Sequence, residues 1–399
     1  MKILNLLPRL PSPPVDGGAI AVHQLHKSWA SKDINVVVAS FLSNRHPQDV
    51  KKIKEFFQVY TCRVNWTEFT LLDALKSLFV SIPYNIETRF AQAEMNALLR
   101  ELQNDHPNVD LIQVEWVHMA YYVDLLRELW PQRPIILRSH NVEHVIFERL
   151  SKEITNPILA WFYHDQAKKM KRFEKMILHN IEGVITLTNQ DESVYKSLHA
   201  DIKSKAIPVG IDPSGYILDE EKKYQGFLIL GSMGWAPYAE SVLSFVEEVW
   251  IKHWKNQPTD SLHIVGSQPT EELREYDHKY GIIIHGFVED VQPFLHHSKA
   301  MIIPLKSGSG MRIKVLEAVA SRCPIISTDV GIEGFPFQDK EHCFVANSLE
   351  EWRLGLDELS SSPQKALNEL SDRAHEITFP AYDSDVLADT LVEYYKEFL

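Results

Sequence analysis

Between Ile302 and Ala318 the chain reads Ile-Ile-Pro-Leu-Lys-Ser-Gly-Ser-Gly-Met-Arg-Ile-Lys-Val-Leu-Glu-Ala. An apolar run ends, a Gly/Ser-rich loop follows, and a helical pattern begins. Loop amides and a helix N-terminus together make an anion site, which places Ser309 and Gly310 among the candidate ligand contacts. At 100° per residue Lys314, Glu317 and Ser321 share one stripe, and Ile313, Leu316 and Ala320 share another that would pack on a sheet. Lys314, with Arg312 beside it, can neutralise a diphosphate, and Glu317 can accept two hydroxyls of a ribose. The alternative is a solvated Lys–Glu pair at i,i+3, worth about a few tenths of a kcal/mol.

Two further loops carry candidates. Pro13-Pro14-Val15-Asp16-Gly17-Gly18-Ala19 follows the first apolar run. A glycine pair opening a helix lets backbone amides approach a phosphate closely, so Gly17 and Gly18 are candidates; a simple turn is the other reading. Leu137-Arg138-Ser139-His140-Asn141-Val142-Glu143-His144 also follows an apolar run. There His140 is a ligand candidate or a satisfied core or capping histidine. Asn141 and Glu143 would hold that loop, and His144 has no assigned role. Glu115-Trp116 ends another apolar run and would line an acceptor or simply pack.

The elements that must position these loops follow from periodicity. Short apolar runs at 3–7, 35–40, 109–114, 135–139 and 183–188 read as strands, with a helix over 19–31. Thr188 and Asp191 form a capping-box start for the next helix. Ile207-Pro208-Val209-Gly210-Ile211-Asp212-Pro213 then reads as a turn or hinge. Strands resume at 227–230, 262–265, 282–285, 301–304 and 324–327. Helices are expected from Pro237, from a cap at Asp290, over 311–321 and over 381–399. Strands alternating with helices imply βαβ units and parallel sheets, so the fold class is α/β. At roughly 100–200 residues per domain, 399 residues predict two doubly wound domains. Such domains bind ligands outside the carboxyl ends of their strands, where the three loops lie.

Charge and composition exclude some classes. With 41 basic and 54 acidic residues the net charge is −13, a poor match for nucleic acid. Cys62, Cys323 and Cys343 lack metal-type spacing and read as reduced thiols of a cytoplasmic protein. Proline breaks the N-terminal apolar run too early for an export signal, and no run reaches a membrane span. Lys168, Lys169, Lys171, Arg172 and Lys175 on a helix from about Trp161 allow a peripheral contact with the inner face of a membrane, or an ordinary surface helix.

Four segments together resemble glycosyltransferase family 4, retaining enzymes of GT-B fold. They are Pro304 through Thr328, Gly231-Ser232-Met233-Gly234-Trp235-Ala236-Pro237, His285-Gly286-Phe287-Val288 and Ile207 through Asp212, in the family's order. The resemblance implies two Rossmann-like domains facing a central cleft: 1–208 on the acceptor side and 209–380 binding nucleotide sugar. It also goes with a terminal helix, 381–399, packing back on the first domain. It implies a hexosyltransferase-like activity using a nucleotide-diphosphate sugar as co-substrate, with no cofactor and no metal. Glu317 matches the family's ribose-binding glutamate. Ser309 stands where the family has its first, sugar-contacting glutamate. The Gly231 loop lacks the family's basic residues, so Arg312 and Lys314 are the substitutes. His140 matches a histidine beside the donor sugar, where it would hydrogen-bond the sugar or steady charge.

Breaking a sugar–phosphate bond leaves negative charge on the diphosphate, which fixed donors in a water-poor cleft stabilise best. Gly17, Gly18, Arg312 and Lys314 are placed to supply them, with closure about 207–213. The expected reaction is transfer to a glycan, lipid-linked or small acceptor with retention, as in polysaccharide biosynthesis. Two rival readings stay open: a nucleotide-sugar epimerase of GT-B fold, and a degenerate GT-B nucleotide-sugar-binding module without turnover.

Overall fold

The computed structural model describes residues 1–14, 16–32, 34–44, 48–66, 70–216, 226–253, 260–306 and 311–399. Ser309, Gly310 and Val15 lie outside the described residues. The chain forms two compact units, Met1–Pro208 with Leu387–Leu399, and Val209–Val386.

The first unit holds a parallel sheet of β1 (Lys2–Leu7), β2 (Asn35–Ser43), β3 (Gln58–Val64), β4 (Leu111–Glu115), β5 (Ile135–Ser139), β6 (Gly183–Thr186) and β7 (Lys203–Ala206). Its order is β3-β2-β1-β4-β5-β6-β7. Both faces are covered. Leu4 and Leu6 join one apolar cluster, and Ile3 and Leu7 join another on the opposite face. Two-sided burial is why β1 does not alternate: its one polar residue inside the run, Asn5, is itself buried and bonded to the His26 ring at 2.9 Å.

The second unit holds β8 (Phe227–Leu230), β9 (Leu262–Val265), β10 (Ile282–Gly286), β11 (Ala300–Ile303), β12 (Ile325–Ser327) and β13 (Phe344–Val345). These are again all parallel, in the order β10-β9-β8-β11-β12-β13. In each sheet the strand order reverses beside the first strand, between β1 and β4 and between β8 and β11. Ligand sites of doubly wound sheets open at such switch points. Glu115 closes β4, and Gly17–Gly18, Trp116, Gly231 and Arg312–Lys314 stand in the loops and first helical turns after these four strands.

Three strands escape the sequence pattern: β3, β7 and β13. All are edge strands, and β3 and β7 carry Gln58, Arg63, Lys203 and Lys205, so neither forms an apolar run. Helix starts also differ from expectation. The helix at 311–321 is Ile313–Ala320, with Arg312 as its N-cap. The basic helix is Pro157–Leu178; Asn156 caps it by accepting from the amides of Ile158 and Leu159, and Pro157 occupies its first turn. Asp290 lies one residue outside its helix, Gln292–His297, and accepts from Gln292 N at 2.9 Å. Thr188 does cap its helix, its Oγ1 accepting from Asp191 N at 3.0 Å.

At 207–213 the chain passes a second segment closely. Ile211 N donates to Tyr382 O at 3.0 Å, and Ser384 N donates to Ile211 O at 3.1 Å. A Cβ on Gly210 would lie 2.7 Å from Ser384 Cα, so only glycine fits there. These bonds keep 381–386 with the second unit, so the return to the first comes at Leu387 rather than at 381. The last helix, Ser384–Lys396, then lays Ala388, Leu391, Tyr394 and Tyr395 against the cluster around Ile3 and Leu7. Among the described residues no helix is long and apolar enough to cross a membrane.

Candidate active site

In the second unit, β8 delivers Gly231 at φ +141°, a backbone conformation in which glycine is at ease. Gly231 N donates to Val265 O at 2.9 Å, and Ser267 Oγ donates to Ser232 Oγ at 2.9 Å, tying the loop to the one after β9. The helix Ile313–Ala320 buries Ile313, Val315, Leu316, Ala318, Val319 and Ala320. Core packing takes more of its circumference than the two-face reading implied, and Ser321 is buried as well. Lys314 and Glu317 remain half-buried. They are not a solvated surface pair.

Lys314 reaches back to the Gly231 loop. Its Nζ sits 3.5 Å from the centroid of the Tyr238 ring, a close cation–π contact. A Cβ on Gly231 would lie 2.5 Å from that same Nζ. The ammonium therefore occupies the place beside Gly231 that a loop without basic residues leaves uncharged. Burial, reinforced by Arg312, pulls Lys314 down to about 7, against the pull of Glu317. Burial pushes Glu317 up to about 7, opposed by Lys314 and by the Tyr216 hydroxyl, which donates to its carboxylate. Both groups are thus poised to change charge near neutrality, as titratable groups at functional sites often are.

In the first unit, β4 and β5 pair with Glu115 opposite Arg138. Glu115 is wholly buried, and three donors make four hydrogen bonds to it. Arg138 Nη1 donates to both carboxylate oxygens at 3.3 Å, His140 Nε2 donates to Oε2 at 2.6 Å, and Gln113 Nε2 donates to Oε1 at 2.5 Å. Burial would raise this carboxyl; Arg138 and the His140 hydrogen bond overcome it and hold Glu115 at about 2. Because a carboxylate accepts, the proton on His140 sits at Nε2, leaving the lone pair on Nδ1. Burial keeps this imidazole below its ordinary value despite Glu115, so the ring is neutral. It can accept a hydrogen bond at Nδ1. This favours orienting a hydroxyl over supplying positive charge.

Trp116 stacks flat on His140, with ring centroids 3.7 Å apart and planes 8° from parallel. The stack requires Trp116 to hold φ 61° and ψ 140°, a conformation that costs a non-glycine residue about 1–3 kcal/mol. Gly18 leaves room for it, since a Cβ there would lie 2.6 Å from Trp116 Cζ2. Asp16 caps the helix Gly17–Ala30, accepting from Ala19 N at 3.0 Å, and pairs with Arg9. Gly18, Trp116, His140 and Glu115 are therefore one assembly. Sequence reasoning had left Glu115 and Trp116 undecided. The available signal was a carboxylate at the carboxyl end of an apolar strand, beside the strand that leads to His140.

Two candidate groups thus stand at the switch points of their own sheets: Gly18 and His140 in the first unit, and Gly231, Arg312, Lys314 and Glu317 in the second. Residues 225–362, which include all six strands of the second sheet, match the family model for glycosyl transferases group 1. The second unit is a glycosyl transferase group 1 domain. The chain is similar in fold to sucrose-phosphate synthase from Thermosynechococcus elongatus, with a TM-score of 0.74 and 14% identity over 100% of this chain and 98% of that one. It is also similar to Anabaena HepE in complex with UDP and glucose, with a TM-score of 0.68, 12% identity and all of both chains covered. Both likenesses show the GT-B fold. A curated relative, an uncharacterized 44.6 kDa protein in the cps region of Klebsiella pneumoniae, is 23% identical over 272 residues. That match covers 64% of this chain and 66% of the relative, just under two thirds of its length.

Proposed function

We propose that the protein transfers a sugar, with retention, from a nucleotide-diphosphate sugar to the hydroxyl of a glycan or lipid-linked acceptor. One observation carries the donor side: the half-buried Lys314 ammonium held against the Gly231 loop, with Glu317 one helical turn further on. A diphosphate there meets Lys314, Arg312 and loop amides, and the ribose meets Glu317, where the Tyr216 hydroxyl now donates. Complexes of HepE with UDP and glucose, and with UDP-glucose, support this choice of ligand class. On this reading Lys314 and Arg312 carry the leaving charge, Gly17 and Gly18 add backbone donors, and neutral His140 orients the transferred sugar. Glu115 acts through His140 and is a positioning residue.

The test is a panel of nucleotide sugars screened by thermal stabilisation, where a ligand at ~100 times its Kd adds about 2.7 kcal/mol. The stabilising donor is then followed by nucleotide release and by the anomeric configuration of the product. Stabilisation with release at background would favour a binding module. A changed sugar without acceptor would favour an epimerase.

A lipid-linked acceptor is supported by the helix Pro157–Leu178. It exposes Ile158, Leu159 and Trp161 at one end and Lys168, Lys171, Arg172 and Lys175 along the rest. Apolar and basic groups together suit an anionic bilayer surface. Co-sedimentation with anionic but not neutral vesicles is the expected outcome, lost in Trp161→Ala with Lys168→Glu.

A further inference from the structure

A second polar cluster flanks His140 in the first unit, and the donor chemistry does not use it. Two loops leave the carboxyl ends of the adjacent strands β4 and β5. The first carries His118, two residues after Trp116, and the second carries Asn141 and Glu143, just after His140. Asn85 Nδ2 lies 2.8 Å from His118 Nε2, and Asn141 hydrogen-bonds the Glu143 side chain. His118 Nε2 and Glu143 Oε2 are 3.9 Å apart, too far for a hydrogen bond. His118 Nε2 spends its lone pair on the Asn85 amide, which leaves the Glu143 carboxyl and Asn85 Oδ1 as the groups open to a ligand hydroxyl.

Three features point to a ligand. The Oδ1 end of the Asn85 amide is buried and has no hydrogen-bond partner among the described residues. His118 and Glu143 keep 13% and 14% of their side-chain surface, so the cluster can be reached. Aromatic groups stand around it: the Phe90 ring lies 5.0 Å from His118, and Tyr84 is close enough to Glu143 to couple to it electrostatically when that carboxyl ionises. An amide, an imidazole and a carboxyl among aromatic rings suit the hydroxyls and apolar faces of a sugar.

The cluster is also rigidly held and uncharged. Glu174 accepts from Glu143 N at 2.9 Å and pairs with His144 Nδ1, fixing the first turn of the helix Glu143–Glu153. Burial, and then the buried Glu174 charge, push Glu143 up to about 8. Burial, with Arg89 nearby, holds His118 down at about 4. Neither a phosphate nor a cation finds its counter-charge in these four side chains; a neutral polyol finds donors and acceptors.

We infer that Asn85, His118, Asn141 and Glu143 form a subsite for an uncharged sugar unit of the acceptor. This rests on the glycosyl-transfer reading.

The test uses the full chain and a panel of methyl glycosides (gluco, galacto, manno and N-acetylglucosamine) in saturation-transfer NMR. UDP-glucose binding and UDP release without acceptor are measured in parallel. At least one glycoside binds the wild type at pH 7. Asn85→Ala and Glu143→Ala weaken it at least tenfold while UDP-glucose binding stays unchanged. Glu143→Gln, a neutral isostere, binds as the wild type does at pH 7. At pH 9 the wild type binds about tenfold more weakly, because ionised Glu143 can no longer donate and faces Glu174. The Gln variant shows no such loss. The inference is overturned if no glycoside binds, if both alanine variants bind normally, or if the wild-type pH profile is as flat as that of Glu143→Gln. Loss of UDP-glucose binding in the wild type would instead strike the donor reading. Should Glu143→Ala not fold, Asn85→Ala decides alone.

Discussion

Lys314 and Glu317 make a calorimetric prediction whose sign reverses with pH. Each titrates at about 7 in the unliganded protein. A bound diphosphate holds Lys314 protonated, and ribose hydroxyls hold Glu317 ionised. At pH 8 the free Lys314 is about 0.1 protonated, so binding takes up ~0.9 proton, while Glu317 releases ~0.1. The net uptake is about 0.8. At pH 6 the same arithmetic gives ~0.1 taken up by Lys314 and ~0.9 released by Glu317, a net release of about 0.8. The two cancel near pH 7. Because the groups interact, the counts belong to the pair, and the reversal does not depend on which group is assigned which proton. The assay is isothermal titration with UDP-glucose in buffers of low and high ionisation enthalpy; its diphosphate has no proton that titrates between pH 6 and 8. Lys314→Met removes the uptake at pH 8, and Glu317→Gln removes the release at pH 6. A proton count of one sign at both pH values would refute the donor site, as would uptake at pH 8 that survives Lys314→Met.

Lys314→Ala removes a half-buried cation from the leaving group, so turnover falls about 10²–10³-fold or below detection; a near-normal rate of nucleotide release would sink the assignment. Glu115 is held at about 2 against an ordinary 4.5, a difference worth roughly 3 kcal/mol. The depressed value means this stability is fully present above pH 4.5 and is lost as pH falls towards 2. Urea unfolding of Glu115→Gln should therefore show a loss of about 3 kcal/mol at pH 7 and little loss at pH 2. Equal losses at both would mean Glu115 acts through packing alone. The two loop glycines should separate by assay. A Cβ on Gly266 would strike the Gly231 carbonyl, so Gly266→Ala lowers the melting temperature strongly. A Cβ on Gly231 meets the movable Lys314 ammonium 2.5 Å away, at φ +141°. Gly231→Ala should therefore cost about 1–3 kcal/mol of stability and also weaken nucleotide binding.

The central strands are legible because parallel strands covered on both faces favour unbroken apolar runs, as in Val36–Ala39 and Phe227–Leu230. The edge strands β3 and β7 were not legible. A strand with a solvated side tolerates Lys203 and Lys205, and nothing in such a run distinguishes it from a loop. The spacing of Lys314 and Glu317 put both on one stripe of a helix. It could not say whether that stripe faced water, since i,i+3 pairs of this kind also suit a solvated face.

Sequence alone determined which loops stand at the carboxyl ends of which strands, and with them most of the candidate residues, because periodicity and turn chemistry are local. It did not determine the partners. Glu115 meets Arg138 and His140 through the register of two strands separated in the chain, and Trp116 settles on His140 only because Gly18 leaves space. Lys314 finds the Gly231 loop across the sheet's switch point. Burial then sets the charge state of each group, and burial belongs to the packed structure: the same lysine and glutamate in water would titrate far from neutrality.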